Sequence, residues 1–285
     1  MYPNQFDYHR AASVAEAVEL LSSLPDAKLV AGGHSLIPAM KLRAAQPGAL
    51  VDIGRIPGLS DITSDGDSLV IGALATHASV ADSAAVQGGC PMLAETAAAI
   101  GDIQVRNRGT IGGSLAHADP GADYPAAMLA LGAEITAVGA GGERTIAASD
   151  FFVDILTTAL ADNEVITSVR VPCAAGSAYL KHRHPASSYA VVGVAACVGL
   201  DGGNVASCAI GINGVTGKAV KADAAAAALC GGPASADRIA AAAACVAEAC
   251  DEPLGDLYAS GEFRVHLAGV YTKRALAVAA ERAGA

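Results

Sequence analysis

Two glycine-rich segments of this chain carry residue types and spacings that suit the binding of a phosphate-containing ligand. Paired glycines let the backbone approach a ligand with no Cβ in the way. Consecutive N–H groups can then form a concave anion site, and a following helix start adds a positive dipole end. Two such loops suit a pyrophosphate, which offers acceptors on two sides. The segments are Lys28-Leu29-Val30-Ala31-Gly32-Gly33-His34-Ser35-Leu36 and Thr110-Ile111-Gly112-Gly113-Ser114.

Each segment also has a plain structural interpretation, because a Gly-Gly pair is a common turn in loops that bind nothing. Two segments that both end in Gly-Gly followed by a nearby serine strengthen the ligand hypothesis. The residues alone leave phosphate binding and structural turns both open.

The other motifs of nucleotide, covalent or metal chemistry fail on spacing. No Gly-x-Gly-x-x-Gly follows a predicted strand, and Ser35 is not in a Gly-x-Ser-x-Gly nucleophile elbow. Residues 211–219 imitate a P-loop, but the glycine spacing is wrong and Ala219 replaces the required Ser or Thr, so we interpret the segment as a turn. His117 and Asp119 have no third ligand nearby, which favours loop polarity over a metal site. We predict no catalytic residue and no metal ligand.

One further polar run allows two interpretations. His182-Arg183-His184 follows a predicted strand. It fits a solvated face equally well as a contact to an anionic cofactor.

The elements that must position the first segment can be predicted from hydrophobic spacing. A helix is predicted from Ser13 to Leu24, where Ser13 and Glu16 form a capping box. Strands are predicted at 28–31 and 50–53, with a short helix at 36–42 between them. Together they make a βαβ-like module.

The rest of the chain mixes strands and helices without the regular alternation of a doubly wound sheet. Strands are predicted at 69–74, 133–138 and 164–171, and helices at 79–86, 91–100 and 125–131. A third module has strands at 179–182, 190–200 and 205–212 and helices at 235–250 and 262–283, and Asp201-Gly202-Gly203-Asn204 predicts a hairpin. The fold class is α+β, in modules 1–56, 57–176 and 177–285, the last a three-stranded sheet with helices.

Composition excludes several classes of function. The net charge is −10, with 28 acidic and 18 basic residues, and no basic run is present, so we expect no nucleic-acid binding. No apolar window is long enough for membrane insertion, and the N-terminus lacks a secretory pattern, so we expect the cytoplasm. The seven cysteines show no Cys-x-x-Cys pair. We interpret the cysteines as small buried hydrophobic residues rather than as ligands of an iron–sulfur cluster.

The two glycine-rich segments, in their order and separation, resemble those of the FAD-binding medium subunit of molybdenum hydroxylases, of the carbon monoxide dehydrogenase type. The related FAD domain of xanthine dehydrogenase is similar. The resemblance rests on Ala31-Gly32-Gly33-His34-Ser35, Thr110-Ile111-Gly112-Gly113 and Asp119-Pro120-x-x-Asp123, and it extends over nearly the whole chain. It implies a vanillyl-alcohol-oxidase-type (PCMH) FAD-binding fold of two α/β subdomains plus a C-terminal domain.

The resemblance also implies roles for individual residues. Residues 28–36 and 110–114 would wrap the FAD pyrophosphate and ribityl chain, and Asp123 would accept a hydrogen bond from FAD. Ile100 and Ile166 match apolar positions along the cofactor, or they are plain core. Lys181 matches a basic position near the flavin ring, or it is a surface charge. Tyr189 matches an aromatic that covers the isoalloxazine face, or it packs between strands.

Two residues depart from the pattern of the family. Ser114 stands where relatives usually have Asn, which shortens one hydrogen-bond donor. Ser188 replaces an Asp that some relatives carry beside the flavin-stacking Tyr. Both departures concern the surroundings of the flavin rather than the pyrophosphate loops.

The function implied by the resemblance is electron transfer inside a larger complex. A large molybdenum-cofactor subunit would oxidise the substrate, and a small subunit with [2Fe–2S] clusters would relay electrons to FAD in this chain. FAD would reduce an external acceptor such as a quinone, NAD or O₂. We expect a dimer of heterotrimers in the cytoplasm, with peripheral attachment at the inner membrane through the complex.

Two hypotheses compete with this one. The chain could be a self-contained FAD-dependent oxidoreductase acting on a small organic substrate, or a non-enzymatic interaction module with incidental glycine turns. The first predicts a catalytic acid or base, for which the sequence offers no convincing candidate.

Overall fold

Residues 2–285 are described by a computed structural model, in which three separate sheets follow one another along the chain. The first sheet has three parallel strands, β1 (Asp7–Arg10), β2 (Ala27–Val30) and β3 (Ala49–Asp52), in the order β1-β3-β2. Its helices are α1 (Val14–Ser23) and α2 (Leu36–Lys41). The predicted βαβ-like module is therefore confirmed, with β1 as an additional edge strand. Strand β1 was missed because Asp-Tyr-His-Arg has no apolar alternation.

The predicted capping box at the start of α1 is present. The Ser13 hydroxyl accepts from the Glu16 N–H at 3.1 Å, and the Glu16 carboxylate accepts from the Ala12 N–H at 2.7 Å. The Glu16 N–H is one of the unpaired donors of the helix start, whereas Ala12 lies one residue before the N-cap, so the carboxylate reaches one residue further back than in the usual capping box. The helix packs its buried Ala17 and Val18 between the first sheet and the second.

The second sheet has five antiparallel strands in the order β4-β5-β10-β6-β7. The predicted strands are the three central ones, β5 (Ser68–Gly72), β6 (Glu134–Gly139) and β10 (Val165–Pro172). The edge strands β4 (Ile62–Asp65) and β7 (Gly142–Ala147) escaped prediction because their sequences are mostly polar and solvent-exposed. A small hairpin, β8 (Phe152–Asp154) with β9 (Thr157–Thr158), follows the short helix α9 (Ala148–Phe151).

Helices of the second module cover the sheet and carry much of the candidate site. In chain order they are α3 (His77–Asp82), α4 (Ala84–Gly89), α5 (Pro91–Ala99), α6 (Ile103–Arg106), α7 (Ile111–His117) and α8 (Tyr124–Leu131). Every residue of α8 is buried. A Cβ at Gly211 would overlap the carbonyl oxygen of Ala126, so this glycine lets α8 lie directly against the third sheet.

The third sheet has the order β11-β12-β13-β14. Strands β11 (Ser177–Arg183), β12 (Ala190–Asp201) and β13 (Asn204–Asn213) match the three predicted strands. The turn between β12 and β13 has Gly202 and Gly203 at φ +55° and +80°, as the hairpin prediction requires. The predicted three-stranded sheet needs one correction, because β14 (Val220–Lys221) adds a fourth strand that is too short to leave a sequence pattern.

Three further helices complete the chain. They are α10 (Asp223–Leu229), α11 (Ala236–Ala244), which continues as a 3₁₀ turn over Cys245–Ala249, and α12 (Gly261–Ala283). Each sheet lies within one of the predicted modules, and the boundaries at 56 and 176 stay a prediction. No helix among residues 2–285 is both long and apolar enough to span a bilayer.

The cysteines are free thiols and only partly fit the prediction. Cys90 and Cys250 are buried, as expected of small hydrophobes, but Cys173 is exposed. Cys173 follows the last residue of β10, where the chain leaves the second sheet for the third, and a connection of this kind runs over the surface.

Candidate functional site

The loop between β2 and α2 presents a row of free backbone donors. The N–H groups of Gly32, Gly33, His34 and Ser35 have no hydrogen-bond acceptor among the described residues. Gly33 has φ +72°, a conformation that side-chain-bearing residues rarely adopt. Consecutive unpaired N–H groups in such a loop form a concave anion site. The prediction of a phosphate-binding loop thus has a matching backbone geometry here.

Gly32 also brings the two glycine-rich segments into contact. A Cβ at this position would overlap the carbonyl oxygen of Arg108 and lie 2.7 Å from its carbonyl carbon and 2.9 Å from the Cα of Gly109. Only a glycine permits this approach of one backbone to the other. The contact joins the first module to the second, directly beside the free donors.

The second segment departs from the predicted cradle. Thr110 caps helix α7, and its hydroxyl accepts from the Gly113 N–H at 3.1 Å. The Ile111 and Gly112 N–H groups donate to the carbonyl oxygens of Ala75 and Ala73. The expectation of free donors is therefore wrong for residues 111–113, because the N–H groups tie the helix to the neighbouring chain.

The glycines of this segment serve close packing instead. A Cβ at Gly112 would lie 2.6 Å from the Cβ of Ala73, and one at Gly113 would lie 2.8 Å from the hydroxyl oxygen of Thr110. Both distances are shorter than real Cβ contacts. The Ser114 hydroxyl makes no hydrogen bond to a described residue and is left as the free polar group of the segment.

A cleft of about 710 Å³ runs between the three modules and collects the predicted residues. This volume is within the range of small-molecule and cofactor sites. The first sheet, the second sheet and the β11–β12 connection all contribute walls. Among the predicted site residues the cleft is lined by Lys28, Leu29, Val30, Ala31, Gly32, Gly33, His34, Ser35, Leu36, Ile100, Thr110, Gly112, Gly113, Ser114, Asp123, Ile166 and Tyr189.

Two predicted residues lie off the cleft wall. Ile111 is fully buried in the core of the second module, on the inner side of α7. Lys181 lies behind the wall, with its side chain only 5% exposed, so the surface-charge interpretation of Lys181 is wrong.

A buried ion pair stands behind the cleft and joins the second module to the third. The Lys181 ammonium lies 2.8 Å and 2.9 Å from the two carboxylate oxygens of Asp123, and it also donates to the carbonyl oxygen of Ala99 at 3.1 Å. The Tyr179 hydroxyl donates to Asp123 at 2.6 Å. Burial raises the pKa of the Asp123 carboxyl and lowers that of the Lys181 amine, and the attraction between the two opposes both effects.

Tyr189 lies at the mouth of the cleft. Its side chain is 45% exposed and belongs to the connection between β11 and β12, so it does not pack between strands. Burial of the hydroxyl, with Asp119 and Asp123 nearby, raises the pKa of Tyr189. The hydroxyl therefore stays protonated and can donate a hydrogen bond.

His77 is a wall residue that the sequence did not reveal. It is 4% exposed, and its ring nitrogen Nδ1 has no partner among the described residues. Burial, together with His34 and Arg106, lowers the pKa of His77 to about 4, so the ring is neutral at physiological pH. The only sequence signal was Thr76, the N-cap of α3 directly before it.

The polar pairs set aside in the sequence have different positions. His117 and Asp119 line the cleft with Nε2 and Oδ2 4.0 Å apart, and their interpretation as loop polarity stays a prediction. Residues 211–219 form the end of β13 and the turn before β14, as interpreted. His182 packs between Tyr258 and Tyr271, and Arg183 donates to the carbonyl oxygen of Ala99, so this run does not line the cleft. No group of three or more potential metal ligands is present in residues 2–285.

Comparison with known proteins covers both parts of the chain. Residues 4–174 match the family of the FAD binding domain in molybdopterin dehydrogenase, and residues 177–279 match the CO dehydrogenase flavoprotein C-terminal domain. The carbon monoxide dehydrogenase medium chain of Hydrogenophaga pseudoflava is 42% identical over 280 residues, which is 97% of each chain.

Solved structures show the same similarity. A carbon monoxide dehydrogenase from Hydrogenophaga pseudoflava that lacks the Mo-pyranopterin moiety of its cofactor superposes with a TM-score of 0.95 at 44% identity, over 99% of each chain. Quinoline 2-oxidoreductase from Pseudomonas putida 86 superposes with a TM-score of 0.94 at 33% identity, also over 99% of each chain. The names of these two neighbours give different substrates, so the shared fold does not identify a substrate for this chain.

Proposed function

Because this chain belongs to the FAD-binding medium-subunit family of molybdenum hydroxylases, of the carbon monoxide dehydrogenase type, we propose that it is the electron-transfer subunit of such an enzyme. In this proposal a small partner subunit with [2Fe–2S] clusters supplies electrons, and a large molybdenum-cofactor subunit oxidises the substrate. An external acceptor, a quinone, NAD or O₂, takes the electrons. We propose a dimer of heterotrimers in the cytoplasm, attached peripherally at the inner membrane through the complex.

The observation that carries the proposal is the row of free N–H donors at Gly32–Ser35, at one wall of a cleft built from three modules. Donors without acceptors fit the pyrophosphate of FAD, because an anionic oxygen satisfies several N–H groups at once. Ile100 and Ile166 give the cleft apolar wall area that suits an aromatic ring system. The residues present therefore fit FAD.

The chain's own residues have three tasks in this mechanism. The Gly32–Ser35 donors and the Ser114 hydroxyl hold the phosphates and polar linker, and Tyr189 covers the mouth of the cleft against water. The Lys181–Asp123 pair carries no net charge, and Asp123, which lines the cleft, would accept a hydrogen bond from FAD while Lys181 holds its carboxylate in place. FAD supplies the two-electron redox chemistry when bound, and the protein supplies binding, orientation and electrostatics.

The cysteines support a division of labour between chains. Within the described residues they are scattered over the second and third modules, and no cluster of metal ligands forms. A [2Fe–2S] cluster of the ferredoxin type is held by four cysteine thiolates that lie close together. The clusters of the proposed relay would therefore belong to a partner subunit.

The test uses the complex assembled by co-expression of this chain with its iron–sulfur and molybdenum subunits. Reduction of the iron–sulfur subunit should bleach the yellow flavin absorbance of this chain, and an added acceptor should restore it. The holo chain alone should not oxidise carbon monoxide, purines, N-heterocycles or aldehydes. Rapid bleaching of the isolated chain by one of these compounds would refute the proposal in favour of a self-contained oxidoreductase, for which His117 and Asp119 are the acid–base candidates.

A further inference from the structure

A second cleft, of about 550 Å³, adjoins the first at the Gly32–Gly33 loop and shares Gly32, Gly33 and Thr110 with it. It lies over the face of the first sheet that α1 leaves uncovered, and residues of β1, β2 and β3 form its floor. Three arginines line it, Arg10, Arg55 and Arg108, and we call it the arginine cleft. Lys181 and Tyr189 do not line the arginine cleft. Tyr189 lies at the mouth of the first cleft, and Lys181 lies behind the wall of that cleft.

The positive charge of the arginine cleft is only partly compensated by the described residues that line it. The Arg55 and Arg108 guanidinium groups donate no hydrogen bond to any residue in the range 2–285, and Arg10 donates only to the Tyr8 hydroxyl, at 3.4 Å. The single lining carboxylate, Asp52, already accepts from the Tyr8 hydroxyl and from the Gly54 N–H. Three guanidinium groups therefore face one carboxylate, on a chain whose net charge is −10.

The rim of the arginine cleft adds aromatic and apolar surface. Tyr8 is 50% exposed, and Phe6 lines the cleft beside it. Arginine and tyrosine are the residues enriched at the centres of protein–protein interfaces.

We propose that the arginine cleft is the docking site for an acidic segment of a partner subunit in the complex. The planar guanidinium fork matches a carboxylate with two parallel hydrogen bonds, so two or three Asp or Glu side chains would satisfy the cleft. A protein segment fits better than a phosphate, because the three arginines are solvent-exposed and lie beside Tyr8 and Phe6, and exposed arginine and tyrosine are typical of protein interfaces. Gly32 and Gly33, whose N–H groups are free, also line this cleft, so a cofactor phosphate is the competing occupant that the experiment distinguishes. The inference rests on the proposed function, since it needs the partner subunits.

The experiment is affinity purification of the co-expressed complex through a tag on this chain. The variant is Arg10→Glu/Arg55→Glu, which leaves the Arg108 contact with Gly32 untouched. The matched control is Lys218→Glu/Lys273→Glu, which makes the same charge change at two exposed lysines without a described ion pair. We expect the variant to keep wild-type FAD per chain while the recovered partner subunits fall about tenfold or more, because like charges then face each other. The control should recover them at the wild-type ratio.

Three results would overturn the docking site. If the variant recovers the partner subunits at the wild-type ratio, the arginine cleft is not a docking site. If the control loses them equally, the loss is a general effect of charge. Loss of FAD from the variant would assign the cleft to the cofactor. Arg10→Gln/Arg55→Gln is a milder variant that controls for misfolding. It should recover less partner than wild type but more than the glutamate variant, and its recovery should fall less steeply with added salt than that of wild type. If wild type itself recovers no partner, the proposed function fails before the docking site does.

Discussion

Replacement of Gly32 by alanine isolates the contact on which the proposed FAD site depends. The new Cβ would lie 2.7 Å from the carbonyl carbon of Arg108, whereas ordinary Cβ contacts begin at 3.4 Å. The loop and the Arg108 backbone must therefore separate by about 0.7 Å, and more at the overlapping carbonyl oxygen. Backbone atoms on both sides leave no flexible side chain to move away.

The size of the effect follows from the donors that this loop presents. A shift of this size takes N–H···O distances of about 2.9 Å to 3.6 Å, beyond a useful hydrogen bond. Loss of two hydrogen bonds to charged oxygens costs about 3 to 6 kcal/mol, at about 1.5 to 3 kcal/mol each. The dissociation constant for FAD should rise by about 10² to 10⁴.

The assay is titration of the apo-protein with FAD, followed by quenching of flavin fluorescence. Gly88→Ala is the matched control, because a Cβ at this helical position meets no atom within 4 Å. It should bind FAD as wild type does and be slightly more stable, since glycine costs a helix about 0.5–1 kcal/mol relative to alanine. Circular dichroism establishes that both variants are folded.

An FAD affinity of Gly32→Ala within about threefold of wild type would refute the reasoning. It would mean that the loop relaxes without moving its donors, or that these donors do not hold the cofactor. If Gly32→Ala fails to fold, Gly33→Ala tests the same loop through its positive φ of 72° and a Cβ that meets only side chains, those of Ile37 at 3.0 Å and Val30 at 3.5 Å. That variant should weaken FAD binding by a smaller factor.

Three further predictions concern buried ionisable groups. Lys181→Met should lower the free energy of unfolding in urea by about 3–5 kcal/mol, because it leaves the Asp123 carboxylate buried without a partner. The double variant Lys181→Met/Asp123→Leu should recover most of this loss. Equal stability of the two variants would contradict a buried ion pair. At about pH 8, mass spectrometry of the native protein treated with a thiol reagent should find Cys173 modified and Cys197 intact, since burial raises the pKa of Cys197 to about 12. The pKa of His77 is lowered in the folded state to about 4, so the unfolded state binds more protons between that value and 6.5. In this window wild type should lose stability with falling pH more steeply than His77→Phe, by up to about 1.4 kcal/mol per pH unit, and parallel curves would show that His77 is not neutral in the fold.

Elements that carry a strong local pattern could be predicted from the sequence. Helix α1 has its capping box, the β12–β13 hairpin has its Gly-Gly turn, and the three central strands of the second sheet are apolar runs. Edge strands β4 and β7 could not be predicted, because they are held by pairing with a neighbour rather than by burial of their own side chains.

The candidate site shows a similar division. Both glycine-rich segments line the cleft, as their residues indicated. The first presents free N–H donors, whereas the glycines of the second serve close packing. This difference depends on hydrogen-bond partners that are distant in the sequence. The donors of Gly112 and Ile111 are taken by Ala73 and Ala75, and no local pattern shows where those carbonyl groups lie. The same holds for His77, whose role as a neutral wall residue follows from packing alone.

The buried pair of Lys181 and Asp123 gives the cleft a property that neither glycine-rich segment supplies. Asp123 precedes α8 in the second module, and Lys181 lies on β11 in the third, so the pair couples the two modules at the cofactor site. Gly32 couples the first module to the second in the same place. A ligand that contacts all three walls needs both the Gly32 contact and the Lys181–Asp123 pair to be intact. Its binding free energy then stabilises each module and also the arrangement of the modules. Cofactor retention should for this reason depend also on residues that lie behind the cleft wall, with Lys181 as the clearest case.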